Sequence, residues 1–183
     1  MNDSSGSILD QPRPLRDEDR FDVAALDAWL KQGLEGLDGS PQVEQFAKGA
    51  SNLTYRLRYP GRDLILRRPP PGTKARSAHD VVREYRIQKA LKPVFRYVPE
   101  MLAVCEDQSV IGSDFYVMQR LEGIIPRANL PRGLELSEAQ VRSLCRNAID
   151  TLIELHSVDV EAAGLAGLAK GAGYNRRQIE GWS

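Results

Sequence analysis

The sequence predicts an α+β fold, in which a small and largely antiparallel sheet with one inserted helix precedes a helical region. Short runs rich in β-branched and aromatic residues, bounded by Gly, Pro or Asp, recur between residues 43 and 121. One helical pattern interrupts these runs. After residue 122 the apolar residues recur at helical spacing instead.

The N-terminal part is predicted to contain an arm and a helix. Residues 1–20 are polar and contain proline, which is typical of a disordered or loosely attached arm. Residues 21–40 have the pattern of an amphipathic helix with Asp22 as its N-cap and Gly39 just beyond its end. Its apolar stripe consists of Val23, Leu26, Leu30, Leu34 and Leu37.

Residues 41–122 are predicted to form the sheet. Its strands are expected at residues 43–47, 54–59, 63–67, 102–106, 109–112 and 114–121. Pro60 and Gly61 predict a hairpin turn, because proline presets φ and glycine allows a positive φ at the next position. A helix is expected between the third and fourth strands, with Ser77 as its cap and Pro93 as its stop.

Residues 123–183 are predicted to begin a helical lobe. Ser137 and Gln140 have the spacing of a capping box at the start of its first helix. Cys145 lies in the apolar stripe of that helix and is therefore expected to be a buried, unreactive thiol. The stripe consists of Val141, Leu144, Ala148, Leu152 and Leu155.

Composition argues against several classes of function. With 25 basic and 25 acidic residues the net charge is zero, which does not favour a nucleic-acid or anionic-membrane partner. Two cysteines without CxxC spacing and two histidines make a zinc site improbable. The sequence has no signal-peptide pattern and no apolar run long enough for a bilayer, so we expect a cytoplasmic protein.

A glycine-containing loop, with Gly49, Ser51 and Asn52, separates the first two predicted strands. Glycine permits close backbone approach, and successive N–H groups in such a turn can point at an anion. The loop is therefore a candidate phosphate cradle. Taken alone, a plain hairpin is the more frequent explanation of such a pattern.

Arg67 and Ile65 are expected on one face of the third strand, about 7 Å apart. A nucleotide needs an apolar surface for its base and a fixed cation for its phosphates. The alternative is that Arg67 and Arg68 are edge-strand charges that discourage pairing between sheets. Glu84 of the inserted helix is a candidate partner for Arg67, and the alternative for Glu84 is a solvated salt-bridge face.

Taken in order, these segments resemble the aminoglycoside-phosphotransferase-like kinase family. The resemblance extends from about Gln45 to Trp182 and is greatest for the branch that is similar to the kinase-like domain of some acyl-CoA dehydrogenases. It implies a bilobal, protein-kinase-like fold with a nucleotide lobe and a helical substrate lobe. The motifs are FAKGASNLTYRL, LILRRPPPG, SAHDVVREYRIQKAL, CEDQSVIGSDFYVMQRLEG and LIELHSVD.

The resemblance implies roles for the three motifs described above. Gly49, Ser51 and Asn52 correspond to the loop that covers the phosphates. Arg67 corresponds to a strand cation that is lysine in many relatives, and Glu84 to the acid that pairs with it. The arginine is longer and bulkier than lysine, although its planar fork suits phosphate.

The segment FYVMQRLEG resembles the last strand and the hinge of the nucleotide lobe. Met118 would then lie at the back of the base pocket. The main chain of Gln119 and Leu121 would hydrogen-bond the adenine. An ordinary core strand with Tyr116 and Met118 packed inward is compatible with the same pattern.

The implied function is Mg²⁺-dependent phosphoryl transfer from ATP to a hydroxyl of a small molecule, with a hydroxyacyl-CoA as one candidate acceptor. The family's His-Gly-Asp loop, its following Asn and its later metal-binding Asp have no counterpart before Ser183. We therefore expect the base beyond Ser183, no metal ligand in this segment, and a sequence that is the first part of a longer kinase, inactive alone.

Two other functions remain open at this stage. The chain would be a nucleotide-binding or interaction module without catalysis if the catalytic loop is absent from the natural protein. It would be a plain structural domain if its glycine loop is only a hairpin. A homodimer and the choice between ATP and GTP are likewise left open.

Overall fold

The structure is a computed structural model, and it describes residues 9–46, 52–72, 79–125, 129–131, 133–168 and 173–181. The helices are α1 (Val23–Gly33), α2 (Val81–Leu91), α3 (Glu138–His156) and α4 (Tyr174–Gly181). The strands are β1 (Gln42–Phe46), β2 (Leu53–Tyr59), β3 (Arg62–Arg68), β4 (Met101–Cys105) and β5 (Phe115–Gln119).

The five strands form one sheet in the order β1-β2-β3-β5-β4, and every neighbouring pair is antiparallel. This arrangement confirms the α+β prediction with an antiparallel sheet. The hairpin between β2 and β3 is confirmed as well, since Tyr59 pairs with Arg62 and Gly61 adopts a φ of +74°. Only glycine adopts such a φ without strain, which explains its place in this turn.

The two faces of the sheet pack against different elements, because successive side chains of a strand point to opposite faces. One face is the main core, where α1 covers the sheet with Leu26 and Leu30. On the other face, α2 packs Val81 and Tyr85 against Tyr116 of β5. The buried residues that the sheet contributes to the main core are Tyr55, Leu57, Tyr59, Leu64, Leu66, Cys105, Phe115 and Val117.

Helix α1 begins as predicted but is shorter. The Asp22 side chain accepts a hydrogen bond of 2.9 Å from the N–H of Ala25, so it is the N-cap. The helix ends at Gly33, whereas the apolar pattern predicted that it would extend to about residue 40. Gly33 has low helix propensity and Gly36 has a φ of +71°, so the chain leaves the helix there. Leu37 is still buried in the core, but from the following loop.

The predicted strand at 109–112 is wrong. Residues 108–111 form a turn, in which the Gly112 N–H donates to the Gln108 carbonyl at 2.8 Å. The Asp107 side chain accepts a hydrogen bond from the Ser109 N–H at 2.9 Å, and Gly112 has a φ of +81°. These local bonds compete with strand pairing. Ile111 is buried from the turn, which explains its apolar character.

Helix α2 has a different N-cap from the one predicted. The Asp80 side chain accepts a hydrogen bond of 2.8 Å from the Arg83 N–H, and the helix starts at Val81. Ser77 was the predicted cap, and it lies outside the described residues. Both residue types are good caps, so the spacing of the apolar residues did not distinguish between them.

The N-terminal arm is attached to the sheet over its described part, residues 9–20, contrary to the prediction of a loose segment. Arg13 and Gln45 exchange two main-chain hydrogen bonds of 2.7 Å, which adds a short bridge to the edge of β1. The Asp19 side chain is buried, accepting a 2.8 Å bond from Gln45 Nε2 and an ion pair from Arg16. Buried polar contacts of this kind fix the arm in one position.

Helix α3 has the predicted capping box between Ser137 and Gln140. No residue of this helix is buried, and its apolar side chains Val141, Leu144 and Leu152 are exposed. Cys145 is exposed too, so the expectation of a buried thiol is wrong, because no described element covers this face. No helix in the described part of the chain is long and apolar enough to cross a membrane.

Candidate functional site

A cavity of about 360 Å³ lies between one face of the sheet and the segment that follows β5. Four of the predicted nucleotide-binding residues line it together, namely Ile65, Met118, Gln119 and Leu121. The other described lining residues are Leu9, Asp10, Phe46, Thr54, Gln88, Pro99, Arg120, Gly123 and Ile125. Apolar residues predominate in this lining, which suits a flat ring.

The sheet register explains why these residues converge. Ile65 of β3 is paired with Met118 of β5, and directly opposed residues share a face. The Gln119 N–H donates to the Glu100 carbonyl at 2.8 Å. This N–H is therefore not available to the base of a nucleotide. The main-chain contact predicted for Gln119 would have to use its carbonyl oxygen.

The predicted pair of Arg67 and Glu84 is present beside the cavity. Arg67 Nη1 lies 3.5 Å from Glu84 Oε2, and both side chains are about one-third exposed. Tyr116 donates its hydroxyl to the same Oε2 at 3.1 Å. Asn52 Nδ2 donates to Oε1 at 2.8 Å. Both carboxylate oxygens of Glu84 are therefore engaged, Oε2 by Arg67 and Tyr116 and Oε1 by Asn52.

Asn52 is buried with 2% exposure, and its side chain is engaged within the protein. Its Nδ2 bonds to Glu84, and its Oδ1 lies 3.2 Å from His79 Nδ1. This geometry ties the end of the glycine loop to α2, so we expect Asn52 to position the loop rather than to project towards a ligand. Gly49 and Ser51, the other predicted loop residues, lie outside the described residues.

The guanidinium of Arg67 retains bonding capacity. Its Nε is buried and has no hydrogen-bond partner among the described residues. The side chain keeps 28% exposure, so its outer nitrogens are accessible. A partly exposed guanidinium with only one long ion pair fits an anionic group such as a phosphate.

Two residues connect this charged cluster to the cavity. Thr54 lines the cavity and is paired with Arg67 across β2 and β3. Gln88 also lines it, and its Nε2 donates to the Tyr116 hydroxyl at 3.3 Å. Burial raises the pKa of Tyr116 to about 12 despite the nearby Arg67 cation. The hydroxyl therefore stays protonated and continues to donate to Glu84 near neutral pH.

A second ionic network holds the residue after β5. Arg120 Nη1 lies 2.8 Å from Asp63 Oδ2. Arg56 donates two hydrogen bonds to the same carboxylate, from Nη2 at 2.7 Å and from Nε at 2.9 Å. Partial burial alone would raise the pKa of Asp63, but the bonds from Arg56 and the charge of Arg120 outweigh it and lower this pKa. The network fixes Arg120 at the cavity wall.

Asp63→Asn is expected to lower the free energy of unfolding by about 1.5 kcal/mol at pH 7, because two arginines lose a charged acceptor. The folded-state pKa of Asp63 is below its unfolded value. Its contribution is therefore present above that unfolded value and is lost as pH falls through the folded one. The difference from wild type should shrink below about pH 4 in urea unfolding. An undiminished difference at low pH would contradict this account.

Several residues at the site were not predicted from sequence, among them Phe46, Thr54, Gln88 and the role of Tyr116. The core-strand alternative packed Tyr116 inward, which is correct for its ring, since the residue is fully buried. Its hydroxyl reaches Glu84 because β5 lies between β3 and β4, on the part of the sheet that α2 covers. Strand alternation in the sequence indicated which residues of β5 share a face, but it did not identify the strands with which β5 pairs.

The described residues do not supply a recognisable metal centre. No group of three or more His, Cys, Asp or Glu side chains within the described ranges is arranged to hold a metal ion. The acids of the two ionic networks, Glu84 and Asp63, are both engaged with arginines, and Asp10 is the one acid among the described residues that line the cavity. These residues therefore do not fit a magnesium site of their own.

The fold and the site match a known class of proteins. A model of the phosphotransferase enzyme family, APH, matches residues 42–183. The chain belongs to this family. It is also similar to a crystal structure from Ralstonia eutropha JMP134, whose name assigns it to the aminoglycoside phosphotransferases, with a TM-score of 0.72 and 37% identity. That similarity covers 89% of this chain and 46% of the other, and the fold is the protein-kinase-like one.

Curated relatives confirm the branch that the sequence motifs indicated. Acyl-CoA dehydrogenase family member 11 of Gallus gallus is 43% identical over 173 residues, which are 92% of this chain and 22% of the relative. Family member 10 of Mus musculus is 39% identical over 93% of this chain and 16% of its own length. The chain thus spans only about one-fifth of such relatives.

Proposed function

We propose that this chain forms the nucleotide-binding part of a phosphotransferase that uses ATP and Mg²⁺ to phosphorylate a hydroxyl of a small molecule. The observation that carries the proposal is the Arg67–Glu84 pair beside an apolar cavity, to which Thr54 and Gln88 connect it. The family assignment supports the reaction class. ATP is the substrate that would occupy this cavity.

The division of the site matches the two halves of a nucleotide. Ile65 and Met118 form apolar walls for a base, while the main chain of Gln119 and Leu121 supplies hydrogen-bonding groups at the rim. Arg67 would contact the α- and β-phosphates, and Glu84 would hold its guanidinium in place. Gly49 and Ser51 remain predicted phosphate-loop residues.

These residues position and neutralise rather than carry out proton transfer. Glu84 is not suited to act as a general base, since it already accepts two hydrogen bonds besides its ion pair. Magnesium would bridge and neutralise the phosphates when bound. The base and the metal ligands are expected elsewhere in the intact protein.

A hydroxyacyl-CoA is our candidate acceptor. The support comes from the names of the curated relatives, which are acyl-CoA dehydrogenase family members. A kinase domain on the same polypeptide as an acyl-CoA dehydrogenase domain would be well placed to act on an acyl-CoA that carries a hydroxyl. The proposal includes a small-molecule partner and no nucleic-acid partner.

The test measures ATP binding and turnover separately in the intact protein. Saturable MgATP binding is expected by calorimetry, together with transfer of labelled γ-phosphate to a hydroxyacyl-CoA but not to the same acyl-CoA without the hydroxyl. Binding without transfer to any hydroxyl compound would favour a nucleotide-binding module instead. Absence of nucleotide binding would refute the proposal and favour a structural domain.

A further inference from the structure

The described N-terminal arm, residues 9–20, lies outside the region that the family model matches, which begins at residue 42. It nevertheless contacts the sheet, first at the edge strand β1 and then at residues of β2 and β3. The paired main-chain bonds between Arg13 and Gln45 align it with β1. The main-chain carbonyl of Asp19 accepts bonds from Arg68 at 2.7 Å and from the Tyr55 hydroxyl at 3.1 Å, which anchors its far end.

This docking brings the beginning of the arm to the candidate nucleotide site. Leu9 and Asp10 line the same cavity as Ile65, Met118 and Leu121. Because Arg13 is fixed on Gln45, one residue from Phe46, the preceding residues of the arm have only a short path to the cavity. The arm thus forms one side of the cavity, and its distant anchor at Asp19 sets its direction.

Asp10 is the only acidic residue among the described residues that line the cavity. A nucleotide presents hydroxyl donors on its ribose, between base and phosphates, and carboxylates commonly accept hydrogen bonds from ribose hydroxyls in nucleotide sites. Leu9 beside it adds apolar surface at the level of the base.

We propose that the arm is a wall of the nucleotide pocket and that Asp10 accepts a hydrogen bond from a ribose hydroxyl of the bound nucleotide. This inference rests on the proposed function, since it assumes that the cavity binds ATP. It assigns a ligand contact to a segment that the family match does not include. The opposite role, in which the arm occupies the base site and hinders binding, predicts the reverse response to substitution.

The experiment compares two charge-matched substitutions in the intact protein, Asp10→Asn and Asp17→Asn. Asp17 belongs to the same arm but is exposed, pairs with Arg20 and does not line the cavity. Each variant is titrated with ATP and with 2′,3′-dideoxy-ATP, which lacks the ribose hydroxyls. The loss of a negative charge affects both nucleotides alike, so the comparison isolates the ribose contact.

Wild type and Asp17→Asn are expected to bind ATP about tenfold more tightly than dideoxy-ATP. Asp10→Asn, whose neutral amide oxygen is a weaker acceptor than a carboxylate, is expected to keep a preference of only about threefold. An unchanged preference for ATP in Asp10→Asn would overturn the inference and leave the proposed function intact. Tighter binding of both nucleotides by this variant, with the preference retained, would overturn it in favour of a hindering arm. Failure of wild type to bind either nucleotide would instead refute the proposed function.

Discussion

Arg68→Ala is expected to lower the free energy of unfolding by about 3 kcal/mol. Arg68 is 6% exposed, and its guanidinium donates to the carbonyls of Asp19 and Ile111 at 2.7 and 3.3 Å. It also donates to the Tyr55 hydroxyl at 3.1 Å. The substitution would leave these buried acceptors short of donors and would release the arm and the turn before β5 together.

The packing of Arg68 adds to this effect. Its guanidinium carbon lies 5.1 Å from the centre of the Phe21 ring and 5.5 Å from that of Tyr55. Such cation–π contacts are strongest where water is excluded. Arg68→Met would retain much of the apolar contact of the stem but none of the hydrogen bonds, so an intermediate loss is expected.

Thermal unfolding of the intact protein measures this prediction. A loss of about 3 kcal/mol corresponds to a Tm lower by roughly 6–12 °C for a domain of this size. The matched control is Arg58→Ala, an exposed arginine on the neighbouring strand, for which a change within about 0.5 kcal/mol is expected. Equal effects of the two substitutions would contradict the conclusion that Arg68 stabilises the fold by holding the arm and the turn before β5 in place.

Arg67→Ala is expected to weaken MgATP binding by about 2 kcal/mol, or roughly thirtyfold, through the loss of charged hydrogen bonds to the phosphates. The side chain is 28% exposed and carries one long ion pair within the protein, so its contribution to stability should stay below about 1 kcal/mol. The expected result is therefore lost binding in a protein that still folds.

Two further variants make this result specific. Arg67→Lys keeps a cation at this position without the planar fork and should recover part of the affinity. Glu84→Gln should weaken binding less than Arg67→Ala, because Asn52 and Tyr116 still restrain the side chain. Calorimetric titration with MgATP, alongside the Arg58→Ala control, provides the measurement. Unchanged affinity in Arg67→Ala would remove Arg67 from the nucleotide site.

The adjacent arginines thus provide a crossed comparison. Position 68 is expected to affect stability, and position 67 to affect ligand binding, although the two residues are neighbours in the chain. Strand alternation predicted that they would lie on opposite faces. It did not predict that one face would bury its arginine among carbonyl groups, and edge-strand charges were the alternative for both.

The features predictable from the sequence were those that depend on residues close together in the chain. The N-cap at Asp22, the capping box at Ser137 and the turn at Gly61 each depend on bonds or dihedral angles within a few residues. The same local character explains the errors. Asp80 and Ser77 were equivalent as caps, and the β-prone residues at 109–112 did not reveal the turn that surrounds them.

The candidate site was partly predictable because its motifs follow a family pattern, with Ile65, Arg67, Glu84 and Met118 at recognisable positions. The contacts between these motifs could not be predicted from the sequence. The tether from Asn52 to Glu84 spans 32 residues, and so does the bond from Tyr116 to Glu84. Such contacts depend on which strands pair and on where α2 crosses the sheet.

The amino-acid sequence by itself determined the order of helices and strands, most of their ends and the faces on which the strand side chains lie, since backbone geometry and local hydrogen bonding control these features. Only the tertiary structure decided that β5 lies between β3 and β4, that Arg68 is buried and that the arm reaches the cavity. The physical reason is that burial and long-range hydrogen bonding arise when distant segments meet, and neither polarity nor spacing within a segment specifies its partner.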